Sequence, residues 1–192
     1  VFVGLFEGEE NSNSSINVIN DNLNKALNSL VVDGEISGTS GYSVLIHSLG
    51  LLESKRVLFI GLGDRDKCRV IDVKNAIGDA VRQINKMNCE SIAIDVASFT
   101  AGDIDQNVAA ELVAESLITG LYSYDRFKTQ KTTMTLKNVS FFGTEVEDKN
   151  IVRGEKIGSA LNIARDMAND PPNYLTPSKM GEIATDIAKD IT

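Results

Sequence analysis

The sequence predicts an α/β fold, because short apolar segments of strand type alternate with segments of helical periodicity along its 192 residues. Hydrophobic residues make up 42% and charged residues 24% of the chain, which supplies a core and argues against general disorder. All three prolines lie between positions 171 and 177. This cluster predicts one sharp break near the end of an otherwise uninterrupted alternation.

The first part of the chain predicts a strand, a helix and two further strands. The run Val1–Phe6 is short and apolar, as in a buried strand. The next helix, capped by Ser14 or Ser15, is predicted from five apolar residues at spacings of three and four: Ile16, Ile19, Leu23, Leu27 and Leu30. Strands over 42–47 and 56–60 follow a glycine-rich loop, and the unbroken apolar run of the second predicts burial on both faces.

The middle of the chain continues the alternation and ends in a charged segment. The predicted elements are a helix over 73–87, a strand over 91–96, a helix over 108–122 and a strand over 134–142. Residues 145–150 carry four charged side chains in six positions and are predicted as a link between two domains. The division is therefore placed between residues 1–150 and 151–192.

Two helices are predicted after this link, separated by the prolines. Their apolar positions are Ile157, Leu161, Ala164 and Ala168 in one, and Met180, Ile183, Ile187 and Ile191 in the other. The first should end near Asn169, since Pro171 disfavours helical backbone at Asp170. The second should begin with Thr176 as its cap and Pro177 in its first turn. We expect a rigid elbow between two helices whose apolar faces need a partner surface.

Charge and composition exclude several classes of protein. The formal charge is −8 and the isoelectric point is near 4.7, which argues against nucleic-acid binding. No apolar stretch is long enough to cross a membrane, and the N-terminus lacks the features of a secretory signal. Cys68 and Cys89 are expected to be free thiols of a reducing compartment. Both termini fall within predicted elements, so we expect a piece of a longer protein.

Several candidate sites are weak. Gly61 and Gly63 follow a strand, but Asp66 stands where a dinucleotide-binding loop needs a third glycine, which favours a plain turn. His47 is the only histidine, so multi-histidine zinc sites are excluded, and its apolar strand predicts a packed imidazole. Ser40 does not fit a nucleophile elbow, because Tyr42 replaces the required glycine.

Acidic and aromatic clusters leave further alternatives. Glu7, Glu9 and Glu10 are interpreted as a solvated loop. Asp64 and Asp66 flank Arg65 and Lys67, which predicts local ion pairs on a surface turn. The segment Asp125–Lys128, preceded by Tyr122 and Tyr124, is either a binding face or a helix exit whose aromatic rings close the sheet edge, and we favour the second.

One long segment resembles a known family. Residues 164–177 read Ala-Arg-Asp-Met-Ala-Asn-Asp-Pro-Pro-Asn-Tyr-Leu-Thr-Pro, which closely resembles the opening of the catalytic domain in the leucyl aminopeptidase (cytosol aminopeptidase) family of di-metal peptidases. Residues 56–63 and 114–128 resemble, in the same order, a strand with its glycine turn and a helix exit of the family's N-terminal domain. Met167, Asp170, Tyr124 and Phe127 are mild departures from the family pattern.

The resemblance implies a fold, an activity and a separation into an accessory part and a catalytic part. Residues 1–150 would be an accessory domain with a macro-domain-like mixed sheet, and residues 151–192 the linking helix and the first part of the catalytic domain. The complete enzyme would be a cytoplasmic hexamer that removes unblocked N-terminal residues from peptides with two divalent metals, manganese or zinc. The family's metal-binding and catalytic segments are absent from this sequence, so no residue here is expected to have a catalytic, cofactor or metal role.

A second hypothesis is a stand-alone binding module. Macro-like domains bind ADP-ribose in other settings, and the Gly61–Gly63 turn would have to hold its phosphates. Titration with ADP-ribose distinguishes this module from an accessory domain of a peptidase.

Overall fold

The computed structural model describes residues 1–189, and it confirms the α/β class. The strands are β1 (Phe2–Leu5), β2 (Ser43–His47), β3 (Arg56–Gly61), β4 (Ser91–Asp95) and β5 (Asn138–Phe142). The helices are α1 (Ser14–Asn22), α2 (Leu27–Val32), α3 (Val70–Asn85), α4 (Gln106–Gly120), α5 (Asp148–Asn169) and α6 (Pro177–Lys189). Short 3₁₀ turns follow β3 at Arg65–Lys67 and β4 at Val96–Phe99.

The five strands form one mixed sheet in the order β2-β3-β1-β4-β5. β1 pairs parallel with both β3 and β4, β4 pairs parallel with β5, and β2 pairs antiparallel with β3. β1 is therefore the central strand, which explains why all four of its residues are buried. β3 is buried from Val57 to Gly61, as its unbroken apolar run predicted.

Two apolar clusters cover the two faces of the sheet. The larger cluster joins α3 and α4 to the sheet, and its members include Phe2, Leu58, Val73, Ile77 and Val113. The smaller cluster packs α1 and α2 on the opposite face, where Val3, Leu5 and Phe59 meet Ile16, Leu23 and Leu27. Adjacent residues of β1 and β3 thus alternate between the two clusters, as the pleat of a strand requires.

The single helix predicted from Ile16 to Leu30 is two helices. Asn24 and Lys25 adopt positive φ angles of 53° and 63°, which end the first helix. The Asn20 side chain accepts a hydrogen bond of 2.9 Å from Leu27 N and so supports the start of the second. The apolar face was correctly predicted, because Ile16 and Leu27 still share one core cluster.

Two predicted boundaries between residues 134 and 150 differ from the structure. β5 begins at Asn138 rather than at residue 134, because Lys137 N and Asn138 N both donate to Glu90 O at the start of the pairing with β4. The expected link over 145–150 is only partly a link, since α5 already begins at Asp148. Helix α5 therefore extends 22 residues, more than its apolar spacing indicated.

Helix α5 packs against α4 through two glycines, and Ile151 in its first turn packs against the larger core cluster. A Cβ on Gly154 would lie 2.3 Å from Glu111 O, and one on Gly158 would lie 3.0 Å from Ile118 Cβ. These two glycines are the only buried residues of α5, whereas Leu161 is 42% exposed. Close backbone approach thus fixes the first half of α5 against α4.

Helix α6 contributes no buried residue among those described. Met180 and Ile187 on its apolar face are 47% and 40% exposed, and the predicted fourth apolar position, Ile191, lies outside the described residues. Within residues 1–189, no helix is both long enough and apolar enough to span a membrane.

Candidate functional site

The predicted elbow is confirmed at its backbone. α5 ends directly before Asp170, which is extended with φ −65° and ψ 133°, as a residue before proline should be. α6 begins at Pro177, and Thr176 Oγ1 accepts a hydrogen bond of 3.3 Å from Lys179 N as a helix cap. The reversal between the helices is held by Tyr174 N, which donates to Pro171 O at 2.9 Å.

The first residue of the elbow is a buried acid with two donors. The side chain of Asp170 is only 1% exposed. Its Oδ1 accepts a hydrogen bond of 2.7 Å from the Tyr124 hydroxyl, and its Oδ2 accepts one from Arg126 Nη1. Because a buried carboxylate without partners would strongly destabilise the fold, these two donors tie the elbow to the segment that follows α4.

A second contact fixes the other side of the elbow. The ring of Phe127 meets that of Tyr174 edge-on at 5.4 Å between centroids. The guanidinium carbon of Arg126 lies 5.1 Å from the Tyr174 ring centroid, within the range of a cation–π contact. The Arg126 side chain therefore takes part in both contacts, one with the Asp170 carboxylate and one with the Tyr174 ring.

The same segment also holds the last turns of α5. The Tyr122 hydroxyl donates to Asp166 Oδ1 at 2.9 Å and accepts from Asn169 Nδ2 at 3.2 Å, and the guanidinium of Arg165 lies 5.4 Å from the Tyr122 ring centroid. We call the connected set of side chains the clamp: Tyr122, Tyr124, Arg126, Phe127, Asp166, Asp170 and Tyr174.

The clamp corrects the expectation for residues 122–128. The aromatic side chains contact α5 and the elbow, so the expectation that they close the sheet edge was wrong. The sequence reasoning missed Asp170 and Tyr174 as their partners. The only signal was an acid before a proline pair, and no spacing rule connects it to Tyr124, which lies 46 residues earlier.

The side chains of the clamp are chemically suited to hold the elbow in position. Desolvation and then the hydrogen bond to Asp170 raise the pKa of Tyr124 to about 12, so the phenol stays protonated and remains a donor at neutral pH. The clamp contains no serine, cysteine or histidine that could act as a nucleophile or base near neutral pH. Its ion pairs, hydrogen bonds and ring contacts fix the direction in which the backbone leaves α5.

The Gly61–Gly63 turn is packed by protein, as a plain turn should be. A Cβ on Gly61 would lie 2.1 Å from Thr39 O, and Gly63 has a φ of +82°. Gly63 N donates to Gly38 O at 2.7 Å, so the loop over 38–40 occupies the space beside the turn. A phosphate would have to displace this loop.

The expectation for His47 was wrong. The residue is exposed, because it ends the edge strand β2, where it pairs with Arg56. Ser40 faces the glycine turn, with its Cβ 3.2 Å from the position of a Cβ on Gly63. The structure brings neither residue into a catalytic arrangement with the other.

The expected solvated loop and local ion pairs were only partly correct. Lys67 does pair with Asp64 across one turn. Arg65, however, forms a bidentate pair with Glu9, with both N–O distances at 2.6 Å, and its guanidinium lies 4.0 Å from the centroid of the Phe6 ring. Arg65 thereby fastens the segment after β1 to the one after β3, and Glu9 is half-buried and paired rather than fully solvated.

A metal site is not formed by the described part of the chain. No group of three or more His, Cys, Asp or Glu side chains within residues 1–189 is arranged to hold an ion. Cys68 and Cys89 are both half-buried free thiols.

Comparison with known proteins connects this geometry to one family. Residues 2–131 match the profile of the cytosol aminopeptidase family, N-terminal domain. A probable cytosol aminopeptidase of Pseudomonas syringae pv. syringae is 29% identical over 169 residues, which cover 85% of this chain and 34% of the relative. A probable cytosol aminopeptidase of Alkaliphilus metalliredigens is 25% identical over 197 residues, which cover 98% of this chain and 39% of the relative. The chain thus spans little more than a third of these relatives' length.

Solved structures share the fold. A mutant of tomato leucine aminopeptidase superposes with a TM-score of 0.81 at 22% identity, over 98% of this chain and 39% of that one. The bottromycin maturation enzyme BotP in complex with manganese gives a TM-score of 0.74 at 21% identity, over 98% of this chain and 36% of that one. None of these matches supports the ADP-ribose-binding module. Because the family profile matches more than half of its residues, the chain belongs to the cytosol aminopeptidase family and carries that family's N-terminal domain.

Proposed function

We propose that this chain is the non-catalytic N-terminal domain and connecting elbow of a metal-dependent leucyl aminopeptidase. The complete protein would remove unblocked N-terminal residues from peptides, as a cytoplasmic hexamer with two divalent ions of manganese or zinc. The clamp is the observation that supports the role we propose for this chain, because it fixes the direction in which α6 leaves the first domain. Family membership supports the peptidase activity of the whole.

We assign the first domain to residues 1–150 and the linking helix with the start of the catalytic part to residues 151–192. Helix α5 connects the two, since its first half packs on α4 through Gly154 and Gly158 and its last turns enter the clamp. The exposed apolar positions Met180 and Ile187 of α6 would be covered by the catalytic part of the longer protein, for which the length of the relatives leaves ample room.

We further propose that this segment is inactive by itself. Residues 1–189 offer no cluster that fits a divalent ion, so no step of peptide hydrolysis is assigned to them. The metals of the complete enzyme would be held by residues outside this segment, and BotP, whose structure holds manganese, is an example of a related fold with such an ion.

The experiment compares this chain with the longer gene product. Each is incubated with a leucyl anilide and added manganese or zinc, and release of the amine is followed. We expect release by the longer protein alone, and its loss on addition of a chelator. Amine release by the purified 192-residue chain would overturn the assignment of an inactive domain, and a longer product without chelator-sensitive release would overturn the assignment to a peptidase.

A further inference from the structure

A groove lies between the edge strand β5 and helix α5, with a volume of about 500 Å³. Its floor is apolar. Leu117 of α4, Leu121 directly after α4, and Val139 and Phe141 of β5 form it. The last two side chains are only half-buried, although they pack against the larger core cluster. The domain therefore leaves part of its core open at one edge of the sheet.

The edge of β5 beside this groove is unpaired. β5 hydrogen-bonds with β4 alone. Within residues 1–189, no further backbone or side-chain group bonds to the main chain of Val139–Phe142. An unpaired edge offers alternate N–H and C=O groups to an added strand, and a neighbouring apolar groove receives every second side chain of that strand.

The rim of the groove is acidic. Asp125, Glu155 and Asp166 line it, against one basic side chain, Lys137. Lys137 is already paired with Glu90 at 3.1 Å, and Asp166 lies 3.9 Å from Arg126 Nη2 within the clamp. Glu155, by contrast, is exposed and forms no ion pair with any residue in 1–189. The uncompensated charge at this rim is therefore negative, and it favours a cationic occupant.

We propose that the groove binds an extended segment of another protein, which adds to β5 as a sixth strand. The segment alternates apolar side chains, directed into the groove, with polar ones, and it carries lysine or arginine opposite Glu155. A second copy of this chain is a poorer occupant, because two acidic rims would meet and each chain carries a net charge of −8.

The test uses the 192-residue chain labelled for NMR and two short capped peptides, one alternating valine with lysine and one alternating valine with glutamate. We expect the lysine peptide to shift the amide signals of Val139–Phe142 and of the facing side of α5. The Glu155→Lys variant should weaken this binding roughly tenfold by charge reversal at the rim. The same change at exposed Glu53, in the hairpin between β2 and β3 at the other end of the sheet, should leave it unchanged.

A further peptide separates strand addition from charge attraction alone. Methylation of alternate backbone nitrogens in the lysine peptide removes its strand donors but keeps its charge, and binding should be lost. The proposal fails if neither peptide shifts β5, if the glutamate peptide binds as well, if the methylated peptide binds unchanged, or if the shifts map to β2. Shifts of the β5 signals on concentrating the free chain would instead identify a second copy as the occupant.

Discussion

The Tyr124 hydroxyl donates a hydrogen bond of 2.7 Å to the buried carboxylate of Asp170, across a separation of 46 residues. This bond joins the exit of α4 to the first residue of the proline elbow. It therefore connects the first domain directly to the point at which the chain changes direction.

Removal of that carboxylate should loosen the elbow. We expect Asp170→Ala to lower the free energy of unfolding by about 2–3 kcal/mol, because it leaves the Tyr124 and Arg126 donors without their shared acceptor. Urea unfolding measures the loss, and hydrogen exchange should locate it in the last turns of α5. Asp79→Ala, which removes an exposed i,i+3 pair with Arg82, should change stability by less than about 0.5 kcal/mol. Equal losses in the two variants would contradict the role of the clamp.

The clamp should respond to strongly alkaline pH. The pKa of Tyr124 is raised from 10 to about 12 in the folded chain, so its contribution to stability is complete below pH 10 and is lost as pH rises towards 12. The pKa of Tyr122 is also raised, by desolvation and by its hydrogen bond to Asp166, so phenolate absorbance should show a raised step from Tyr122 and one last late step from Tyr124 among the four tyrosines. Tyr124→Phe should remove this late step and Asp170→Asn should move it to lower pH; a late step that persists in Tyr124→Phe belongs to another residue.

The Glu9–Arg65 pair should contribute at the acid side. The hydrogen bond from Arg65 lowers the pKa of Glu9 below its usual 4.5, so the pair stabilises the fold above that pH and loses its effect as pH falls through the lowered value. Glu9→Gln should cost about 1 kcal/mol at neutral pH. Unfolding curves at several pH values should show this difference shrinking below pH 4.5. Glu7→Gln, at a neighbouring exposed residue, should show no difference in stability that shrinks as the pH falls.

The contact of α5 with α4 should be intolerant of a single methyl group. Gly154→Ala would place a carbon 2.3 Å from Glu111 O, and the backbone shift needed should cost about 1–3 kcal/mol. Gly181→Ala is the matched control, since nothing lies within 4 Å of that position in α6. It should leave stability unchanged or raise it by up to about 1 kcal/mol through helix propensity. Thermal unfolding of both variants tests the difference, and an unaffected Gly154→Ala would refute the close contact.

The parts of the fold that were predictable are those encoded by local periodicity. The repeat of Val73, Ile77 and Ala80 identified α3, and all three side chains are buried. The elbow was predictable as well, since Pro171 and Pro177 act on their own backbone and on the residue before them.

The parts that were missed depend on contacts between distant residues. The bond between Tyr124 and Asp170 and the pair of Glu9 with Arg65, 56 residues apart, leave no trace in spacing. The break at Asn24 and Lys25 was missed for a different reason. Neither residue is glycine, and nothing in the apolar repeat on either side reports their left-handed backbone.

The attachment of α5 along its length, at Gly154 and Gly158, through the Asn162 and Arg165 side chains that donate to Ile118 O and Thr119 O, and at Asp170, has a mechanical consequence. About 24 Å of helix separates Gly154 from the elbow, so a tilt of only about 5° at the glycine contact would displace the far end by about 2 Å. With one attachment, α5 would be a lever arm that amplifies every small movement at its base. With the later contacts and Asp170 holding it as well, the helix becomes a strut, and the orientation of α6 follows from the rigid body that carries these anchors.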